Sequence, residues 1–270
     1  MSNELKARIV SSFVMAVVAI AALWSSIWTF TILILVLAMA VCWEWGRAVR
    51  GKNLDAGHAV HSATMFAVAM AAAANNYATA LCLLLIGALA VALVSDRKHW
   101  IFSIAGVFYI GLPATALIWL RSDDTYGIHA VLFILFVVAA HDTFAMVVGR
   151  MIGGVRLWPA ISPHKTWSGV CGGLAASCLA GALFALAFEY NGILWLIGLG
   201  LAIGVAGLAG DLLESAFKRY HGLKHASMLI PGHGGVMDRL DGIIVAAITA
   251  ALIAGVLDHK APAKVLMLGL

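Results

Sequence analysis

Asp211, Asp238 and Asp241 are the residues around which chemistry in this 270-residue chain has to be organised. They stand with Ser215, Lys218, Arg219, Lys224 and Arg239 in about thirty residues of a sequence that is 63% apolar and only 11% charged. A charged group at membrane depth costs about 2.5–3.5 kcal/mol on insertion scales, so such a cluster reads as a functional site by default. Asp211, Ser215 and Lys218 follow i, i+4, i+7 spacing and would share one helical face. Asp238 and Asp241, at i and i+3, open the next apolar run from the same side. Carboxylates gathered this densely repel unless a cation neutralises them, and Mg²⁺ prefers carboxylate and phosphate oxygens. The alternative is an ion-pair network of Asp211, Lys218, Arg219, Asp238 and Arg239 without metal. Metal is favoured because a single pair would suffice for structure.

The basic side chains fit the same chemistry. Lys218, Arg219, Lys224 and Arg239, with the turn Gly232-His233-Gly234-Gly235, could surround a polyphosphate. Backbone amides of a glycine-rich turn at a helix start can receive phosphate oxygens. A second group lies upstream: His141-Asp142, Gly149-Arg150 and Ser162-Pro163-His164-Lys165-Thr166-Trp167. Lys165 and Thr166 offer a cation and a hydroxyl suited to an anionic head group. Ser162 and Thr166 could equally be helix caps. Asp142 is an acid within an apolar run, which favours a functional role.

The elements that must position these groups are membrane helices. The mean hydropathy is +1.00, and a span needs about 20 mostly apolar residues. Nine stretches qualify, at 9–24, 26–42, 59–76, 78–95, 100–120, 127–149, 168–187, 192–213 and 236–257. The expectation is an all-α polytopic membrane protein: one membrane domain over 1–270, with packing spans in 1–125 and a catalytic half in 126–258. The first stretch resembles a signal peptide, but a second follows within a few residues, which favours a retained helix. With the N-terminus inside, fourteen of the seventeen Lys and Arg fall on the cytoplasmic side, leaving Arg121, Lys260 and Lys264 outside. The active site is then cytoplasmic and the C-terminus outside. The net charge of +4 reflects topology rather than a nucleic-acid surface. Cys42, Cys82, Cys171 and Cys178 lie in or beside apolar runs without CxxC spacing, and Cys171 and Cys178, on one helical face, read as buried small hydrophobes. Glycines at 169, 172, 173, 181, 198, 200, 204, 207 and 210 point to tight helix packing, or else to room for a lipid or nucleotide. A cation- or proton-coupled transporter is the competing class. It should show two-half symmetry, whereas the polar groups here crowd into one half.

From Ser215 through Lys218-Arg219, Lys224, His233-Gly234-Gly235 and Asp238-Arg239 to Asp241, the chain resembles the CDP-diacylglycerol synthase (phosphatidate cytidylyltransferase) signature. The likeness reaches back to Gly210-Asp211, to Ser162-Pro163-x-Lys165-Thr166-Trp167 and to Asp142, covering roughly 140–242. It implies conversion of CTP and phosphatidate to CDP-diacylglycerol and pyrophosphate in the bilayer. It also implies Mg²⁺, with room for a second cation, and a homodimer. Asp211, Asp238 and Asp241 would be the metal acids, with Ser215 nearby. Three positions depart from the pattern: His225 stands for an Asp, His164 for a Lys and Ser168 for a Glu. These departures also leave room for a catalytically weakened paralogue.

Overall fold

The computed structural model describes residues 3–51, 54–229 and 234–269. Ten helices carry nearly all of its regular structure: α1 (Asn3–Trp24), α2 (Ile27–Arg50), α3 (Ala56–Ala73), α4 (Tyr77–Val94), α5 (Trp100–Arg121), α6 (Gly127–Ile152), α7 (Trp167–Ala187), α8 (Ile193–Tyr220), α9 (Met237–Asp258) and α10 (Pro262–Leu268). Each of the nine expected stretches is one of α1–α9. Among the described residues, seven helices (α2 and α4–α9) are long and apolar enough to cross a membrane. In α1 the apolar part is shorter, Phe13–Trp24. His58 and His61 dilute the apolar content of α3. The exposed row Leu81, Leu85, Leu89 and Leu93 on α4 is the kind of stripe that acyl chains cover.

Two features were not foreseen. The polar 150–167 connection contains an antiparallel hairpin, β1 (Arg156–Trp158) against β2 (Ser162–Thr166). The short helix α10 follows the last long one, with Pro262, Ala263, Val265, Leu266 and Met267 buried. The thiols also differ from expectation. Only Cys42 is buried, whereas Cys82 and Cys171 are exposed and Cys178 is intermediate, on helix faces whose apolar character suits a membrane.

The chain divides into two compact units. The first runs through Ser122 and adds Tyr220–Leu240. Three of its helices start on side-chain caps: Ser26 for α2, Asp55 for α3 and Asn76 for α4 each accept an amide of the first turn. Trp45 of α2 donates from Nε1 to Phe102 O (2.8 Å) and packs on Tyr109. Arg50 pairs with Asp55 at 2.6 Å. Arg121, assigned to the outer side by charge counting, is buried: it donates to Leu23 O (2.8 Å) and Ser25 O (2.7 Å), satisfying carbonyls at the end of α1. Tyr220 and His221 pack on Phe102, anchoring the start of the 220–229 segment.

The second unit holds Asp123–Arg219 and the chain from Asp241 onward. Here the glycines allow close helix approach, as one of the two sequence readings held. A methyl at Gly200 would lie 2.5 Å from Ser177 O, and one at Gly181 only 2.1 Å from Leu196 O. Phe133 meets Phe184 edge-on, and Trp195 Nε1 donates to Leu266 O (2.8 Å), fastening α10.

Candidate active site

In the second unit, α8 and α9 approach closely where α8 has glycine. A methyl at Gly210 would lie 2.2 Å from Asp241 O. Asp211 is the next residue, so the two acids lie at this close approach. Asp241 is within electrostatic reach of Asp211, Asp142 and Lys218. Three carboxylates from α6, α8 and α9 therefore share one neighbourhood.

Cations reach them from two directions. Lys165 on β2 forms an ion pair with Asp211 Oδ2. One helical turn beyond Asp211, the Ser215 hydroxyl donates to its Oδ1 at 3.4 Å. Lys218 shares their stretch of α8, and its ammonium meets the buried Glu214 at 2.5 Å. Arg219 donates from Nε to Ile161 O (3.4 Å), tying the end of α8 to the hairpin turn. The carboxylates stay partly accessible, with side chains 31% exposed at Asp211 and 53% at Asp142. His141, which is buried, turns Nδ1 to Asp142 Oδ1 at 3.1 Å. Six of the residues singled out from sequence (Asp142, Lys165, Asp211, Ser215, Lys218, Asp241) thus fall together. Thr166 caps α7 by accepting from Gly169 N (3.2 Å), the capping role that the sequence allowed. Ser162 opens β2 and is half-buried.

Asp238 belongs to the first unit and works locally there. Its Oδ2 accepts from Gly235 N (2.9 Å) and Ala226 N (3.2 Å). The residue that sequence reasoning missed is Glu44 on α2. Fully buried, it accepts from Val236 N (2.8 Å), Met237 N (2.7 Å) and the Ser227 hydroxyl. The amides of Gly235, Val236 and Met237 are therefore taken by carboxylates. Gly234 adopts φ +85°, and a methyl at Gly235 would lie 2.6 Å from Glu44 Oε1, so the turn needs glycine at both positions. Lys224, His225 and Arg239 are exposed. His233 lies outside the described residues. The signal for Glu44 was a lone acid in Cys42-Trp43-Glu44-Trp45, placed just past a helix end that in fact lies at Arg50.

Among the described residues, no group of three or more His, Cys, Asp or Glu is drawn together as a metal cage. Mg²⁺ does not need one: it commonly takes one or two carboxylates, several waters and substrate phosphates. Asp211 and Asp241 supply hard oxygen donors of that kind, and their chemistry fits.

A family model described as "Cytidylyltransferase family" matches residues 6–257. The chain belongs to the cytidylyltransferase family. It is 33% identical over 250 residues to a phosphatidate cytidylyltransferase of Brucella abortus, covering 92% of each chain. It is 38% identical over 144 residues to one from Staphylococcus saprophyticus, covering 53% of this chain and 54% of that one. The matched segment of this cytidylyltransferase-family chain contains both the signature residues and Glu44. With seven long apolar helices among its described residues it is an integral membrane protein.

Proposed function

We propose that the protein is a phosphatidate cytidylyltransferase. A phosphate oxygen of phosphatidate attacks the α-phosphorus of CTP, the bond from that phosphorus to the β-phosphate oxygen breaks, and pyrophosphate leaves. The product is CDP-diacylglycerol. The observation that supports this best is the approach of α8 and α9 at Gly210, beside which Asp241 lies within electrostatic reach of Asp211, Asp142 and Lys218.

Both reactants are anions, so the protein's work is neutralisation and alignment. Asp211 and Asp241 would hold Mg²⁺, and Asp238 joins them on the strength of the shared signature. When bound, the ion supplies positive charge to the nucleotide phosphate oxygens. Lys165, next to Asp211, is the cation that can shift to a substrate phosphate when Asp211 takes a metal. Lys218 and Arg219, with Lys224 and Arg239 from the signature, would stabilise charge developing on pyrophosphate. Ser215 orients Asp211 through its hydrogen bond. No general base is required, because phosphatidate is already ionised near neutral pH. The charge asymmetry of the sequence supports a cytoplasmic N-terminus and active site with the C-terminus outside. The family likeness supports a homodimer.

Incubating the purified protein with labelled CTP, phosphatidate and Mg²⁺ should yield a labelled lipid and pyrophosphate, and EDTA should stop both. Absence of labelled lipid from folded protein would remove the reading. An active weakened paralogue would show the same product at a low rate.

A further inference from the structure

We propose that Glu44 is a positioning residue for the reaction: a carboxylate held permanently on the N-terminus of α9, fixing the segment that presents Asp238 and Arg239. The proposal rests on the cytidylyltransferase reading and adds to it a residue outside the signature. Glu44 is 0% exposed. Among the described residues no cation pairs with it. A buried carboxylate is tolerated only when its lone pairs are met, and here neutral donors meet them: Val236 N, Met237 N and Ser227 Oγ. The two amides are among the helix-start donors that have no partner within α9. The positive end of the helix dipole favours an anion at that point. Glu44 therefore occupies the place on α9 where a phosphate could otherwise dock, which leaves phosphate recognition to side chains and other backbone groups.

The remaining contacts show a clamp with two jaws. Glu44 grips the 227 and 236–237 ends of the segment, while Asp238 Oδ2 accepts from Ala226 N and Gly235 N. Gly235 fits between them only because it lacks a side chain: its missing methyl would overlap Glu44 Oε1. The same collision makes a compensating pair possible. Shortening Glu44 to Asp withdraws the carboxylate by one methylene and opens room for a methyl at 235.

The test uses the full chain in nanodiscs containing phosphatidate, comparing wild type with E44Q, G235A and the double variant E44D/G235A. E44Q turns an amide donor toward a backbone donor. It should lower kcat by about tenfold or more and raise the Mg²⁺ concentration for half-maximal rate, with the KM for phosphatidate little changed and the melting temperature lowered by the poorly met buried donors. G235A should show the same pattern, and E44D/G235A should be more active than G235A alone. In the wild type, hydrogen exchange should find the Val236 and Met237 amides strongly protected. Wild-type rates in both E44Q and G235A would overturn the proposal, as would no gain in the double variant. Exchange at 236–237 as fast as in an open loop would overturn it as well. If E44Q does not fold, the exchange and compensation measurements decide. Failure of the wild type to make labelled lipid would instead remove the underlying activity, and the exchange measurement would still judge the clamp.

Discussion

Two groups of acids, one in each unit, are met in opposite ways. In the first, Glu44 and Asp238 accept backbone N–H groups, from Val236 and Met237 and from Ala226 and Gly235. In the second, Asp241 lies within electrostatic reach of Asp142 and Asp211, and Asp211 is answered by the side chains of Lys165 and Ser215. A carboxylate saturated by amides is a structural fixture, because removing it orphans several buried donors. A carboxylate balanced by a movable lysine can exchange that partner for a ligand. The first arrangement builds a frame, and the second leaves a site.

That contrast can be broken most severely at Asp211. Asp211→Asn should lower turnover by roughly 10²–10³-fold or more while leaving thermal unfolding unchanged. Asp238→Asn sharpens the comparison, since its amide oxygen can still accept from Gly235 and Ala226. Intact folding with lost activity would give Asp238 both roles, and retained activity would leave it a frame residue. Gly210→Ala is next. Its methyl meets Asp241 O at 2.2 Å, so α8 and α9 must separate, at about 1–3 kcal/mol of overpacking. Activity should fall further than stability, as paired rate and melting measurements would reveal. Lys165→Ala should weaken apparent substrate affinity several-fold, with partial recovery in Lys165→Arg, read from KM values. Arg121→Ala in the first unit should lower the melting temperature through about 1–3 kcal/mol of unsatisfied carbonyls, with kcat in the surviving folded protein unaltered.

Much of this was readable from sequence for identifiable reasons. The apolar runs marked where α1–α9 lie because span length and hydropathy are tightly linked, although α1 and α3 fall short of a full apolar span among the described residues. The i, i+4 spacing of Asp211 and Ser215 survived as a hydrogen bond because α8 continues without a break to Tyr220. The hairpin escaped notice because Arg156–Thr166 is short, polar and split by Pro159 and Pro163. Its strands are defined by pairing rather than by alternation. Lys218 lies on the expected helix, yet its partner is Glu214, which the i, i+7 spacing to Asp211 did not feature. Glu44 was hidden by an end-of-helix error of two turns and by partners nearly two hundred residues away. No local pattern encodes a contact of that range.

The shared role of Asp211 and Asp241 is tested most directly by one double-mutant cycle on labelled CDP-lipid formation, comparing wild type, D211N, D241N and the double variant. If the two acids serve one ion, each single change removes nearly all activity and the double variant is little worse than either. Losses that multiply independently, or a single variant that turns over at the wild-type rate, would contradict the assignment.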